Sequence, residues 1–280
     1  MINKVLFLGP VGSYSGIAKD KFARFYTSNC EFETLDSIYK IVRRLKELDS
    51  PSVAAVIPIE NSIEGIVRDT QDNLVSLAQI GFHIQAETFL PIEHSLISYG
   101  DKTQIKIISS HPQALAQCRE YIYKNWGDNI ELNPVLSTSS AVEALTPDNP
   151  KIAAIANKYC ADFYNVPIQE MKINDEDNNT TRFLFISKQA PIISETGKVS
   201  ITFSTENKSG ALNKVLSVLE KYELNMTYID SRPSRKEMGE YVFYVDFLGN
   251  ILDSNVALAL VEIQPYLKKF EILSKGANCV

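Results

Sequence analysis

The alternation of apolar and polar positions predicts strands and helices that follow one another along the first 190 residues. Residues 4–8 form an apolar run that Gly9-Pro10 ends, and Ile17, Phe22 and Phe25 then mark the apolar side of a helix. Further strands are predicted at residues 30–34, 52–57, 104–109, 152–156 and 183–187, with helices over 37–48 and 113–124. Because alternating strands and helices are typical of α/β folds, we expect a mostly parallel sheet with helices on its faces.

The pattern changes near residue 190. Residues 189–197 are polar and contain proline and glycine, as linkers do. Strands are then predicted at residues 199–204, 225–230, 241–247 and 269–273, with helices starting near Ser209 and over 255–267. This βαββαβ order within about 80 residues is typical of a ferredoxin-like α+β unit. We therefore expect a first domain at residues 1–190 and a second at residues 197–280.

Composition and charge exclude several classes of protein. The chain has 280 residues, 45% of them hydrophobic and 22% charged, which is ordinary for globular domains that fold without disulfides or metal. Its net charge of -6 provides no basic field for nucleic acid or for anionic lipid. The four cysteines lack metal-ligand spacing, and neither a signal-peptide core nor a run of 18 apolar residues is present. We therefore expect a cytoplasmic protein with reduced cysteines and no metal, nucleic-acid or membrane partner.

Polar residues cluster where the predicted strands end, which is where α/β sheets bind ligands. The loop at residues 9–13 precedes a helix, so its free N–H groups, together with Ser13 and Ser15, either bind an anion or cap the helix. It matches neither a G-x-G-x-x-G motif nor a P-loop. Glu60 and Asn61 follow the strand at 52–57 and have a helix cap beside an exposed glutamate as their alternative interpretation.

A similar cluster follows the strand at 104–109. Ser110 and His111 come directly after it, and Gln117 lies one helical turn beyond Gln113. A histidine before a proline is more often structural than a catalytic base.

Two further segments are rich in polar side chains. Residues 137–140 carry four hydroxyls, which exceeds the one that a helix cap needs. Arg182 has a fork-shaped guanidinium that suits a carboxylate ligand, or else a surface ion pair. Taken together, these clusters predict a cleft for a small anion that is rich in oxygen atoms. They do not separate an enzyme from a binding protein.

The order of these motifs resembles that of prephenate dehydratases along essentially the whole chain. The C-terminal part is similar to an ACT domain, a ferredoxin-like unit that binds amino acids. The matching segments are Gly9-Pro10 with Gly12-Ser13 and Ser15, Ile59-Glu60-Asn61-Ser62, Ser110-His111-Pro112-Gln113 with Gln117-Cys118, Ala153-Ala154-Ile155-Ala156, Asn179 with Thr181-Arg182-Phe183, Asn207-Lys208-Ser209-Gly210-Ala211-Leu212, and Asp230-Ser231-Arg232-Pro233.

The resemblance implies a catalytic part with two α/β lobes around a cleft, as in periplasmic binding proteins, that needs no cofactor. It implies that prephenate loses CO2 and its ring hydroxyl to give phenylpyruvate. Thr181 would hydrogen-bond or protonate the leaving hydroxyl, Asn61, Ser110 and Gln117 would hold the substrate, and Glu60 would share a proton. Arg182 would bind a carboxylate, and the expected substrate-binding set also contains Ser13, Ser139, Ser140 and Phe183.

The resemblance also implies feedback inhibition by L-phenylalanine, bound where two ACT domains meet in a homodimer or a homotetramer. The residues expected at that site are Gly210, Ala211, Leu212, Asn225, Asp230, Ser231, Arg232 and Pro233. Ser209 and Asp230 stand where the family usually has proline and glutamate, which bears on the strength of the inhibition. Phe183 is expected to link the two domains.

Serine replaces a family threonine at Ser13, Ser137 and Ser140, which keeps each hydroxyl. Because the resemblance begins at residue 1, we expect a monofunctional protein without a chorismate-mutase-like segment. Three alternatives remain: a dehydratase that prefers arogenate, a ligand-binding protein without catalysis, and an amino-acid-responsive regulator.

Overall fold

The computed structural model describes residues 1–191, 193–234 and 239–280. The strands are β1 (Ile2–Leu8), β2 (Thr27–Leu35), β3 (Val53–Asn61), β4 (Gly65–Ile66), β5 (His83–Pro91), β6 (Ser95–Ile97), β7 (Ile107–Ser110), β8 (Glu131–Pro134), β9 (Ile152–Ala156), β10 (Ile168–Met171), β11 (Thr180–Ser187), β12 (Lys198–Ser204), β13 (Met226–Pro233), β14 (Tyr241–Leu248) and β15 (Lys269–Cys279). The helices are α1 (Tyr14–Tyr26), α2 (Ile38–Leu48), α3 (Arg68–Ala78), α4 (Pro112–Ala116), α5 (Arg119–Trp126), α6 (Thr138–Glu143), α7 (Lys158–Tyr164), α8 (Ala211–Lys221) and α9 (Ser254–Glu262), with 3-10 turns at Gly127–Asn129 and Gln264–Tyr266.

The strands that precede β12 form two lobes. Lobe 1 contains β2-β1-β3-β11-β5 in that order, and lobe 2 contains β10-β6-β9-β7-β8. The chain crosses between the lobes after β5 and returns after β10. In each of these two strand orders one strand is antiparallel to both neighbours, β11 in lobe 1 and β6 in lobe 2. Each of the two is the first strand after the chain has crossed between the lobes. The expected mostly parallel sheet is thus two sheets, and the expected two-lobed architecture is confirmed.

Each lobe has helices on both faces of its sheet, and the sheet therefore separates two hydrophobic cores. In lobe 1, Phe22 of α1 stacks on Phe185 of β11 with ring centroids 5.4 Å apart. On the opposite face, Ile41 and Leu45 of α2 and Leu77 of α3 are almost fully buried. Burial of such side chains stabilises the fold by about 1.5–3 kcal/mol each.

The second domain has the predicted order β12-α8-β13-β14-α9-β15, so the ferredoxin-like prediction is confirmed. Its strands lie side by side as β13-β14-β12-β15, and both helices pack on one face. β15 continues well beyond the predicted residues 269–273 and pairs in parallel with β5, where Ser274 lies opposite Ile84. The sheet of the second domain is therefore continuous with that of lobe 1.

Three predicted elements differ from the structure. The helix expected over 113–124 is interrupted, and α5 begins anew because the Asp175 carboxylate accepts the N–H groups of Glu120 and Tyr121 at 3.0 and 3.1 Å. The strand expected at 104–109 begins only at Ile107, and α9 ends at Glu262 rather than at 267. None of the described helices is long and apolar enough to span a membrane.

Candidate active site

A cavity of about 310 Å³ opens between the two lobes. Lobe 1 contributes the loop after β1 and the ends of β3 and β11, and lobe 2 contributes α4 and the start of α6. No lysine or arginine of the described residues lines the cavity. Its polar lining consists of Ser13, Tyr14, Ser15, Asn61, His94, His111, Gln113, Gln117, Ser137, Thr138, Asn179 and Thr181.

Thr181 and Asn61 lie opposite each other on β11 and β3, so the strand register brings their side chains together. Asn61 donates a hydrogen bond from Nδ2 to Thr181 Oγ1 over 2.9 Å. This bond uses the hydroxyl as an acceptor, and no described residue accepts the hydroxyl hydrogen in return. The Thr181 O–H is therefore available to donate to a ligand oxygen in the cavity.

The Asn61 side chain is fixed at both ends of its amide. Its Oδ1 accepts the N–H groups of Ile63 and Glu64, at 3.0 and 2.9 Å, in the turn after β3. Its Nδ2 also donates to Asn179 Oδ1 over 2.7 Å. Because Asn61 is buried, the protein rather than solvent sets its orientation toward Thr181.

Gln117 connects this pair to the opposite lobe. Its Oε1 lies 3.0 Å from Asn179 Nδ2 and 3.0 Å from His94 Nε2. A carboxamide oxygen only accepts, so His94 carries a proton on Nε2. Burial lowers the pKa of His94, which favours the neutral ring, and among the described residues its buried Nδ1 has no partner. One hydrogen-bonded chain thus runs from Thr181 to His94.

The loop after β1 is anchored on both of its sides. Ser13 caps α1, since its Oγ accepts the N–H of Gly16 at 3.4 Å, and it donates to the Leu8 carbonyl at 3.2 Å. Tyr14 donates to the Glu93 carbonyl over 2.6 Å, and burial raises the pKa of its phenol. Both side chains line the cavity, where the N-terminus of α1 favours negative charge.

Two side chains of lobe 2 also bind the loop after β1, which belongs to lobe 1. Ser139 Oγ donates to the Val11 carbonyl and Asn157 Nδ2 donates to the Gly12 carbonyl, both over 2.8 Å. These bonds cross the cleft and fix the spacing of its walls. The predicted role of Ser139 in contacting substrate therefore becomes a contact between the lobes.

Four more predicted residues lie outside the cavity lining. Ser110 is fully buried and donates to the Ile155 carbonyl over 2.5 Å. Ser140 forms a capping box with Ser137 at the start of α6. Phe183 lies in the core of lobe 1, and Glu60 points away from the cavity, 4.0 Å from the guanidinium of Arg182. Within the serine-rich segment, Ser137 and Thr138 line the cavity instead.

Arg182 also lies away from the cavity, because adjacent residues of a strand face opposite sides of the sheet. Its guanidinium binds Glu87 of β5 at 2.5 Å and Asp246 of β14 at 2.7 Å. A carboxylate partner was expected from the sequence, and the structure provides two from the chain itself. Arg182 therefore lies outside the cavity lining.

The residues predicted to bind phenylalanine divide into two groups. Gly210, in a left-handed conformation with φ of 77°, precedes Ala211 and Leu212 at the start of α8. On β13, Asp230 accepts from Gln71 over 2.7 Å and Arg232 pairs with Asp72 at 3.2 Å, so both contact α3 of lobe 1. Ser231 and Pro233 alternate with these two on β13, and Asn225 directly precedes the strand.

Several residues that line the cavity were not predicted from the sequence. His94, Ile92 and Tyr14 were not singled out, and Asn179 was noted only as part of a motif. His94 could have been found as a polar residue that follows a strand. That strand, β5, was not predicted, so His94 was not recognised. No three His, Cys, Asp or Glu side chains in the described part of the chain form a group that could hold a metal ion.

Comparison with known proteins identifies the two parts. A family model described as prephenate dehydratase matches residues 5–191, and an ACT domain model matches residues 199–263. The chain is 40% identical to a prephenate dehydratase of Methanocaldococcus jannaschii, over 89% of this chain and 90% of the relative. It is 34% identical to a prephenate dehydratase of Lactococcus lactis, over 98% and 97%. A solved prephenate dehydratase of Arthrobacter aurescens in complex with L-Phe superposes with a TM-score of 0.83 at 27% identity, covering 99% of this chain and 90% of that one.

Proposed function

This chain belongs to the prephenate dehydratase family, and we propose that it converts prephenate to phenylpyruvate, CO2 and water in the cleft between its lobes. The observation that carries this proposal is the Asn61–Thr181 hydrogen bond, which leaves the threonine proton directed to a ligand. In the reaction, the bond to the departing carboxylate supplies electrons to the ring while the ring hydroxyl leaves with its bonding pair. The hydroxyl needs a proton to leave as water, and formation of the aromatic ring drives the step.

Thr181 stabilises the leaving hydroxyl chiefly by hydrogen bonding. A free threonine is a very weak acid, so outright proton donation would need a proton shared through a neighbour or water. A preorganised donor aimed at developing negative charge in a water-poor site lowers the barrier without any change of its own protonation state. Asn61 supports this role, because it holds the Thr181 oxygen as an acceptor and leaves the hydroxyl hydrogen for the substrate.

Prephenate carries two carboxylates. Among the described residues, no lysine or arginine lines the cleft to bind them. The N-terminus of α1, which Ser13 caps, offers backbone N–H groups to one anionic group. Thr138 offers a hydroxyl from the opposite lobe, whereas the Ser137 hydroxyl donates to Ser140 Oγ. We propose that Gln117, which lines the cavity, holds the substrate through its amide. We assign no substrate contact to Ser110, Ser139, Ser140, Phe183 or Glu60, and we propose that the reaction needs no cofactor.

We propose that L-phenylalanine inhibits the enzyme through the ACT domain. The complex of the Arthrobacter aurescens relative with L-Phe supports this proposal. We assign residues 1–190 to the catalytic domain and residues 197–280 to the ACT domain. β13 is an edge strand with Met226 and Ile229 exposed, which favours pairing with a second copy in a homodimer or homotetramer. A cytoplasmic location fits this function.

The test is phenylpyruvate formation by purified protein treated with a chelator, with and without L-phenylalanine. We expect product from prephenate, and less product as L-phenylalanine is added. Arogenate is assayed in parallel, because a higher kcat/KM with arogenate would reassign the substrate. Folded protein that forms no product from either compound would refute the catalytic proposal.

A further inference from the structure

Four charged side chains form a connected set of ion pairs where the ACT domain meets lobe 1. Arg182 of β11 binds Glu87 of β5 and Asp246 of β14, and Lys198 of β12 binds the second oxygen of Glu87 at 2.6 Å. We call these four residues the bridging cluster. The catalytic part provides one cation and one anion, and so does the ACT domain.

The bridging cluster is buried. Its side chains are 7% exposed for Arg182, 4% for Glu87, 9% for Asp246 and 14% for Lys198. Removing one partner from such a cluster leaves a charge unpaired in a site of low dielectric, which is strongly unfavourable. The ACT domain therefore cannot shift relative to lobe 1 without rearranging these four contacts.

The bridging cluster includes a residue of β11 that is next to the proposed donor Thr181. Arg182 directly follows Thr181 on β11, so one residue faces the ACT domain while the next faces the cleft. The pairing of β11 with β3 shifts register between Arg182 and Phe183. The extra residue is Ile59 of β3, and a bulge of this kind bends its strand and re-aims the side chains beside it, here those next to Asn61. Glu60, opposite Arg182 on β3, offers the guanidinium another carboxylate 4.0 Å away.

We propose that the Arg182–Asp246 ion pair transmits the state of the ACT domain to the Thr181 hydroxyl, with Arg182 as a positioning residue. The proposal rests on the regulation proposed above and names the contact that carries it. When ligand binding displaces β14, the Asp246 carboxylate carries the Arg182 guanidinium with it. The strand then moves Thr181 out of line with Asn61. This gives the two sites a shared element with two arrangements, which allosteric coupling requires.

The experiment uses the full chain in its native oligomer. Asp246→Asn removes the charge but keeps the size of the side chain, and Asp246→Glu keeps the charge. We expect Asp246→Asn to retain kcat/KM within about threefold, and to raise the L-phenylalanine concentration for half-inhibition by about tenfold or more, as coupling of ordinary size predicts. Equilibrium dialysis with labelled L-phenylalanine should show that the ligand still binds. Asp246→Glu should restore inhibition.

Glu262→Gln is the matched control, because Glu262 pairs with Lys221 inside the ACT domain and does not touch lobe 1. It should leave inhibition unchanged. Should Asp246→Asn not fold, Asp246→Ser removes the same charge with a smaller polar side chain and is expected to show the same loss of inhibition. Undiminished inhibition of folded Asp246→Asn overturns the inference alone, whatever its basal activity. A wild-type enzyme that ignores L-phenylalanine overturns the proposed regulation and this inference together.

Discussion

Replacement of Thr181 by valine tests the chemistry directly, because valine keeps the shape of the side chain and removes only the hydroxyl. The Asn61 amide then loses one acceptor but keeps Asn179 Oδ1 at 2.7 Å and the Thr180 carbonyl at 3.4 Å. No polar group of Asn61 is left without a partner. We therefore expect the free energy of unfolding to fall by no more than about 1 kcal/mol.

The expected effect on catalysis is much larger. Loss of one preorganised donor to developing negative charge typically lowers kcat by about 10²–10³, or roughly 3–4 kcal/mol of transition-state stabilisation. The contact to the leaving hydroxyl strengthens as the C–O bond breaks. KM should therefore change far less than kcat.

The assay measures initial rates of phenylpyruvate formation over a range of prephenate concentrations, together with thermal unfolding. Thr181→Ser retains the hydroxyl and should retain most of kcat. Thr180→Val makes the same change at the neighbouring position, which lies outside the cavity lining, and should leave kcat unchanged. A Thr181→Val enzyme that keeps more than about a tenth of kcat would refute the proposed donor, since the loss would fall well short of that for one such donor.

Four further outcomes follow from contacts around the cleft. Burial lowers the pKa of His94, so the unfolded chain binds the proton more readily than the folded one. The free energy of unfolding, measured by urea titration, should therefore fall as pH drops below about 6.5. The fall should be smaller in His94→Gln. Asn157→Asp keeps the cap of α7 but sets a buried carboxylate against the Gly12 carbonyl, so thermal unfolding should show a lower melting temperature and steady-state kinetics a KM raised several-fold. Gly12→Ala should lower stability by about 1–2 kcal/mol, measured by urea denaturation, because φ is 84°. Leu136 lines the cavity at 97% exposure, so Leu136→Ser should raise KM in the steady-state assay without affecting the melting temperature.

Much of the fold follows from local patterns, and the exceptions depend on contacts between distant residues. Strands β1 and β9 and the six elements of the ACT domain follow from apolar periodicity. The break between α4 and α5 does not, because Asp175, far along the chain, provides the cap for α5. The second half of β15 contains Gly276 and mostly small side chains, and its pairing with β12 on one side and β5 on the other makes it a strand.

The same distinction explains which site residues could be found from the sequence. A motif gathers neighbours along the chain, whereas a strand separates neighbours onto opposite faces of a sheet. Thr181 therefore faces the cleft as expected, while Arg182 and its carboxylate partners lie at the ACT interface. Arg182 was correctly recognised as a ligand for carboxylates, but its partner depends on where β14 lies, which no local pattern indicates. Adjacent residues of a single motif thus lie on opposite faces of β11, one as the proposed donor for catalysis and the other in the proposed regulatory contact.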